Sequence, residues 1–390
     1  MSNGRTVILG IGGGAGKVIR CMAANKGASW LEFAYIDTDA VDLENIPGVT
    51  CLSAGSDWAK GRSCGGDPLL GEKAVGASIR ELKALVADTE MVIVVGCLGR
   101  GVASGGVQIV SRLVREEGLL AFFFVTMPFA HEGNGRREIA ESALRDLREN
   151  SDIVVAVQND LLFTTIAADT RANEAFAMAD QVLADGVQGI AELVRCHGMM
   201  SVDFASLRAL LKNREAHCSF GIGHASGANK TVEVIDDLFK SRMLGDHDFL
   251  ARSDVVVASL IGGTNLSIGD MNQCLSMLDN QLGPATCSYI GANVVPEKGD
   301  ELQLTIVSVH YKHKPALVPA SEPAPSPAKP KRGRKGKAKV ATDEKQFDLP
   351  FVEEMVSLGI FGNVPPTIVK GENLDVPTFQ RQGLVLDLDD

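Results

Sequence analysis

Two stretches of this chain have the composition needed to grip an anion. Gly10-Ile11-Gly12-Gly13-Gly14-Ala15-Gly16 leaves one apolar run, and Gly99-Arg100-Gly101-Val102-Ala103-Ser104-Gly105-Gly106 leaves another. Glycine lets a backbone approach an anion closely. The N-terminus of a following helix then aims free N–H groups and the positive end of its dipole at the charge. One such turn carries little weight. A pair of them, in a chain of alternating strands and helices, predicts two walls of a single polyphosphate site.

The spacing narrows the choice of nucleotide motif. A Walker A loop needs Gly, four residues, then Gly-Lys-Ser/Thr. Here Ile11 stands five residues before Gly16 and Val18 follows Lys17, so the magnesium-binding hydroxyl is missing and the motif is rejected. A dinucleotide fingerprint fits better: Gly10-x-Gly12-x-x-Ala15 follows a strand, and Asp37 ends the next strand about 20 residues on. That motif has no use for a second phosphate turn. Nor does it explain a third glycine-dense loop, Gly61-Arg62-Ser63-Cys64-Gly65-Gly66-Asp67-Pro68. A nicotinamide-dependent oxidoreductase built on Gly10, Gly12 and Asp37 therefore stays a remote alternative.

The elements that position these turns follow from hydrophobic pattern. Strands are predicted at Thr6–Leu9, Phe33–Ile36, Met91–Val95, Leu120–Thr126 and Ile153–Val157, with helices over Lys17–Asn25, Val107–Glu117 and Arg137–Glu149. Apolar strands joined through helices imply a doubly wound parallel sheet, an α/β fold covered on both faces. A long helix over Ala172–Cys196 follows. Beyond it a smaller α+β region carries strands at Ser219–Gly223, Val255–Leu260, Thr286–Ile290 and Leu302–Val309, with helices over Thr231–Ser241 and Ile268–Leu282. From Lys314 to about Lys345 the chain is rich in Pro, Ala and Lys without apolar periodicity, which predicts a disordered linker. Its run Lys329–Lys339 holds seven basic residues, read either as a solvated spacer or as weak attraction to anionic lipid or nucleic acid. Apolar character returns at Phe347–Phe361 and Leu374–Phe379, as in a docking peptide on a tether.

Composition excludes several classes. The 390 residues are 45% hydrophobic but 5% aromatic, with 41 glycines, a profile of aliphatic packing and close turns. A net charge of −11 argues against a general nucleic-acid binder. The eight cysteines have no CxxC spacing and the seven histidines no HExxH pattern, so free thiols in a reducing cytoplasm and no metal site are expected. No apolar run is long enough for a transmembrane helix, and no signal-peptide core follows Met1.

Taken together, these loops resemble the FtsZ family, tubulin-like GTPases that build the bacterial division ring. The similarity runs from about Thr6 to Val309 and resumes in the tail. Gly13, Gly14, Ala15, Gly16 and Lys17 stand where the family has its GGGGN phosphate loop. Asp37-Thr38-Asp39-Ala40 resembles its Asn-Thr-Asp-Ala, and Gly61–Pro68 its GxGAGxNP segment. The Gly99–Gly105 stretch, with Gly101, Ala103, Ser104 and Gly105, takes the place of the tubulin signature GGGTGTG. Pro128-Phe129-Ala130-His131-Glu132-Gly133 followed by Arg136 resembles the PFxxEG…R segment that meets the ribose and base region, and Asn159-Asp160 an Asn-Asp pair. Phe176 and Asp180 match the ring-stacking Phe and the guanine-reading Asp. The chemistry agrees, because an aromatic face supports a purine and a carboxylate accepts from guanine N1–H and N2–H₂, which adenine cannot supply together.

The resemblance implies a tubulin-like fold that binds GTP or GDP with magnesium and assembles with itself, head to tail, in the cytoplasm at a midcell ring. It divides the chain into a GTP-binding domain with its central helix (1–197), an α+β domain that begins with an inter-subunit loop (198–312), a disordered basic linker (313–346) and a tail (347–390). In the tail, Leu374, Asp375, Val376, Pro377, Phe379 and Arg381 resemble the terminal peptide that docks on membrane-tethering and regulatory division proteins, so membrane contact is expected to be indirect.

Several positions depart from the family. The loop of the form GxxNxDFxD, which completes the next subunit's site, reads Gly198–Ser206 here. Asp203 is retained as the residue that positions water, Ser206 replaces the second acid and Ser201 the Asn. A serine cannot supply charge to activate water, so slow hydrolysis is expected. The alternative is a relative that binds GTP without hydrolysing it and co-assembles with another filament. Lys17 replaces an Asn that helps fix the base. Ser104 still offers a hydroxyl to a phosphate, and Arg100 either adds a cation near the phosphates or points to solvent.

Overall fold

Successive residues of each buried strand serve opposite faces of one sheet, and that alternation fixes the architecture. A computed structural model of the protein describes residues 5–25, 30–43, 46–164, 166–167, 169–193, 200, 204–211, 216–240, 243–245, 249–311, 368–369 and 372–373. Met1–Val318 forms one compact unit and Pro319–Asp390 a second. The first unit opens with β1 (Thr6–Ile11), α1 (Gly13–Ala24), β2 (Glu32–Asp37), β3 (Val49–Ser53), α2 (Ser56–Ala59), α3 (Pro68–Ala77) and α4 (Ile79–Val86). It continues through β4 (Met91–Cys97), α5 (Gly101–Glu116), β5 (Leu120–Met127), α6 (Asn134–Asn150), β6 (Ile153–Gln158), α7 (Asn159–Leu162) and the long α8 (Ala172–Leu193). Then come α9 (Phe204–Leu211), β7 (Ala216–Ala225), α10 (Lys230–Lys240), β8 (Val255–Gly262), α11 (Ile268–Asp279), β9 (Cys287–Val294) and β10 (Leu302–Tyr311). In the second unit β11 (Ile368–Val369) pairs antiparallel with β12 (Glu372–Asn373).

The first unit carries one ten-stranded sheet in the order β3-β2-β1-β4-β5-β6-β7-β10-β8-β9. Its first six strands are parallel, as expected for strands linked by helical crossovers. Ile8, Ile93 and Phe122 pack on one side with α1 and α8, while Leu9, Val94 and Phe123 pack on the other with α3, α5 and α6. The sheet continues past β6 through a single parallel pair, Val155 with Cys218. Beyond it β10 runs antiparallel to both neighbours, over a third core cluster with α10 and α11.

Every strand and helix expected from the sequence is present. β3, α2–α4, α7, α9, β11 and β12 are additions. The glycine stretches correct the expectation of turns ahead of their helices: Gly13–Gly16 and Gly101–Gly106 are themselves the first turns of α1 and α5. The true turns are single residues with positive φ, Gly12 (82°) and Gly99 (96°), which reverse the chain between strand and helix.

Many of the helical glycines are packing residues. A Cβ on Gly105 would lie 2.1 Å from the Pro68 carbonyl oxygen and 2.4 Å from the Glu72 nitrogen, and one on Gly71 would lie 2.0 Å from the Gly101 oxygen. Helices α3 and α5 thus touch backbone to backbone. Gly105→Ala is expected to destabilise the nucleotide-free protein by about 1–3 kcal/mol or more. Gly135→Ala, with nothing within 4 Å of the added carbon, should be neutral to stabilising, by up to about 1 kcal/mol. Urea titration of the two variants checks the pair, and equal stabilities would contradict the packing role.

Candidate nucleotide site

Parallel strands deliver their C-terminal ends to one edge of the sheet, and the cleft lies there. Its first chamber, about 440 Å³, is lined by Gly12–Gly14 at the start of α1 and Gly99–Ala103 at the start of α5, with Ser63, Gly65 and Gly66 opposite. The first N–H groups of a helix have no intrahelical acceptor, so two helix N-termini open into one space. The converging walls predicted from the glycine stretches are therefore in place, built from helix starts.

A second chamber of about 300 Å³ adjoins the first and shares Gly13, Gly14, Asp42, Cys97 and Arg100 with it. Lys17, Pro128, Phe129, Glu132, Asn159, Phe176 and Asp180 complete its walls. Phe176 is 48% exposed and held by edge-on contacts with Phe129 (5.8 Å between centroids) and Phe163 (5.4 Å), which fixes its plane and leaves a face free. Asp180 stands four residues on along α8. Burial pushes its carboxyl above the ordinary aspartate range, and the charge of Lys17 pulls it back.

The remaining expected residues are placed differently. Glu132 accepts from the Phe129 N–H at 3.1 Å and pairs with Arg136 at 2.5 Å, so the two hold the turn into α6 while lining separate chambers. Ala15 and Gly16 are buried against the sheet and line neither chamber; their N–H groups donate to Gly12 at 2.9 and 3.3 Å. Gly105 is likewise buried, against α3. Ser104 corrects an expectation: only 2% exposed, its hydroxyl accepts from the Gly99 N–H at 3.0 Å and stabilises the turn rather than facing the cleft. Asp203 and the Leu374–Arg381 peptide lie outside the described residues, while Ser206 falls in the first turn of α9.

Asp37 does not suit a dinucleotide. Its carboxylate is buried, accepting from Tyr35 Oη at 2.8 Å and the Thr38 N–H at 2.6 Å, and burial raises its pKa. Both oxygens already accept hydrogen bonds from the protein, Oδ1 also from the Asp39 N–H at 3.3 Å, which argues against a role in holding a ribose diol. Among the lining residues that the sequence reading does not single out are Asp42 and Cys97. The thiol of Cys97 lies against Gly14, where an added Cβ would approach it to 2.6 Å, and one on Gly13 would come within 2.5 Å of Asp42 Oδ2. Neither residue falls in a glycine-rich stretch, so only the fold brings them in.

Comparison with known proteins agrees with this geometry. Residues 5–167 match the Tubulin/FtsZ family, GTPase domain. The cell division protein FtsZ of Pseudomonas putida is 30% identical over 301 residues, covering 77% of this chain and 75% of that protein. The chain belongs to the FtsZ family. The Azotobacter vinelandii FtsZ is 29% identical over 386 residues, 96% of this chain and 95% of that protein. Among solved structures, an empty FtsZ dimer from M. jannaschii superposes with a TM-score of 0.73 at 25% identity, covering 79% of this chain and 89% of the other. A GTPγS-bound CetZ2 protofilament from Haloferax volcanii, 18% identical with a TM-score of 0.61 over 78% of this chain and 93% of the other, shares the fold. The protein is accordingly a guanine-nucleotide-binding GTPase of cell division, and no helix among the described residues is long and apolar enough to cross a membrane.

Asp180 gives the site a pH signature. An Asp180 that accepts from guanine must be ionised, so with Asp180 in that role affinity for GDP should fall as pH drops through its raised pKa, above the usual aspartate range. Asp180→Asn should weaken binding and flatten that dependence. Calorimetric titration from pH 7 downward checks it, and an unchanged profile in the variant would contradict the role.

Proposed function

We propose that this FtsZ-family protein binds GTP across the two chambers, assembles head to tail, and hydrolyses GTP at the junction between copies. The observation that carries the reading is the convergence of the α1 and α5 N-termini on one chamber, joined to a second that holds Phe176 and Asp180. The chain of phosphates would lie along the first and the guanine on the face of Phe176, with Asp180 accepting from its N1–H and N2–H₂.

A magnesium ion would arrive on the phosphates. Among the described residues no group of three metal-ligating side chains exists, whereas Asp39 and Asp42 line the phosphate chamber. That donor set suits an ion held mainly by the nucleotide and water, and it would supply charge neutralisation there.

For self-assembly, exposed apolar residues near the chamber would serve as a contact. Leu69 is 75% exposed at the start of α3, beside the Gly65–Gly66 wall, and Val41 is also largely exposed. In a head-to-tail contact the loop before α9 of the next copy meets this rim, and its Asp203 positions water in line with the γ-phosphate. The water oxygen bonds to phosphorus as the bond to the β-phosphate oxygen breaks, leaving GDP and inorganic phosphate. With Ser206 in place of a second acid the step is slow. The tail, through Leu374, Asp375, Val376, Pro377, Phe379 and Arg381, docks on membrane-tethering and regulatory partners and brings the filament to midcell.

Phosphate release from the pure protein tests the shared site. Specific activity should rise with protein concentration and fall by about 10²–10⁴-fold in Asp203→Ala, with GDP affinity retained. A specific activity independent of both would contradict hydrolysis between copies, and none at all would favour the non-hydrolysing, co-assembling alternative.

A further inference from the structure

Arg100 occupies a position that the nucleotide reading leaves unexplained. It is the N-cap residue of α5, in extended conformation (φ −124°, ψ 163°), with an exposed side chain that lines both chambers. A cation there faces the positive end of the helix dipole and is repelled unless an anion sits between them. The surroundings sharpen the point. Asp37, Asp39 and Asp42 line the phosphate chamber, a carboxylate set hostile to a polyphosphate. Arg136, the other guanidinium in that chamber, is already paired with Glu132. Lys17 lies further on, in the base chamber with Asp180. Among the described residues the Arg100 guanidinium makes no hydrogen bond or ion pair.

We propose that Arg100 is a phosphate ligand at the neck between the chambers, gripping the phosphates common to GDP and GTP. The inference rests on the cleft being the nucleotide site. Gly13, Gly14, Asp42, Cys97 and Arg100 are shared by both chambers and form the neck between them, and Arg100 is the cation among them. Its planar fork can present two parallel N–H donors to phosphate oxygens while the N–H groups of Gly101 and Val102 face the same chain. The neck also holds the Asp42 carboxylate against Gly13, so an entering phosphate meets a like charge that Arg100 offsets.

Competition binding with GDP, GTP and guanosine tests the assignment on the full chain. Arg100→Ala should weaken GDP and GTP alike, by about tenfold or more, with guanosine affinity and nucleotide-free thermal stability unchanged. The salt dependence of GDP binding should flatten in the variant. Arg100→Gln removes the charge at similar volume and carries the test if alanine unsettles the turn. GDP affinity within twofold of the unsubstituted protein, or an equal loss for guanosine, would overturn the proposal. Failure of the unsubstituted protein to bind GDP would instead remove the site reading on which it rests.

Discussion

Backbone contact between α3 and α5 is the constraint on which the cleft depends. Gly71 meets Gly101, and Gly105 meets Pro68 and Glu72, at separations that admit no side chain. The contact sets where α5 begins, and therefore where its first N–H groups point. Helix α1 is seated on side chains instead, with Gly14 against the Cys97 side chain and Gly16 against the Tyr35 ring. Glycine thus does two things at once here. It lets two helices sink toward the sheet, and it leaves their N-termini bare at the edge where the phosphates would lie.

The same economy of contact extends along α8. Phe176 and Asp180 at its start face the base chamber, while Asp185, Gln188 and Glu192 further along are buried yet polar. Their partners come from several parts of the protein, and the Asp185 carboxylate accepts from Gln181 one turn back at 3.0 Å. Asn25 at the end of α1 donates to Gln188 at 2.9 Å, and Trp30 donates to Glu192 at 3.1 Å. From the other half, Asn293 of β9 donates to Glu192, and Gln303 of β10 to the Asp185 carbonyl at 3.0 Å. Hydrogen bonds buried this way fix the helix's rotation, because turning it would strand polar groups. The face of α8 that lines the second chamber is therefore held by both halves of the sheet.

Much of this was legible in the sequence, for definite reasons. Continuous apolar strands such as Leu120–Met127, buried throughout, announce themselves as parallel core. What escaped notice lacked that signal. β3 is a half-exposed edge strand, and α3 carries Gly71 and Gly76 in a ten-residue helix, a composition that reads as loop. The glycine stretches gave the right location and the wrong local structure, because low propensity argues for a turn while tertiary packing makes it a helix. At the site, the resemblance to the FtsZ family points to Phe176 and Asp180, which their spacing alone does not single out, and both line the second chamber. The edge-on support from Phe129 and Phe163, the inward turn of Ser104, and the presence of Asp42 and Cys97 depend on long-range contacts that no local pattern encodes.

The claim that two helix starts clasp one phosphate chain can be measured at the amides themselves. Hydrogen–deuterium exchange of the intact protein, with and without GDP, should show protection gained together in the Gly13–Gly14 and Gly101–Ala103 segments and around Phe176–Asp180. Protection at only one helix start, or at neither while GDP is bound, would contradict the account.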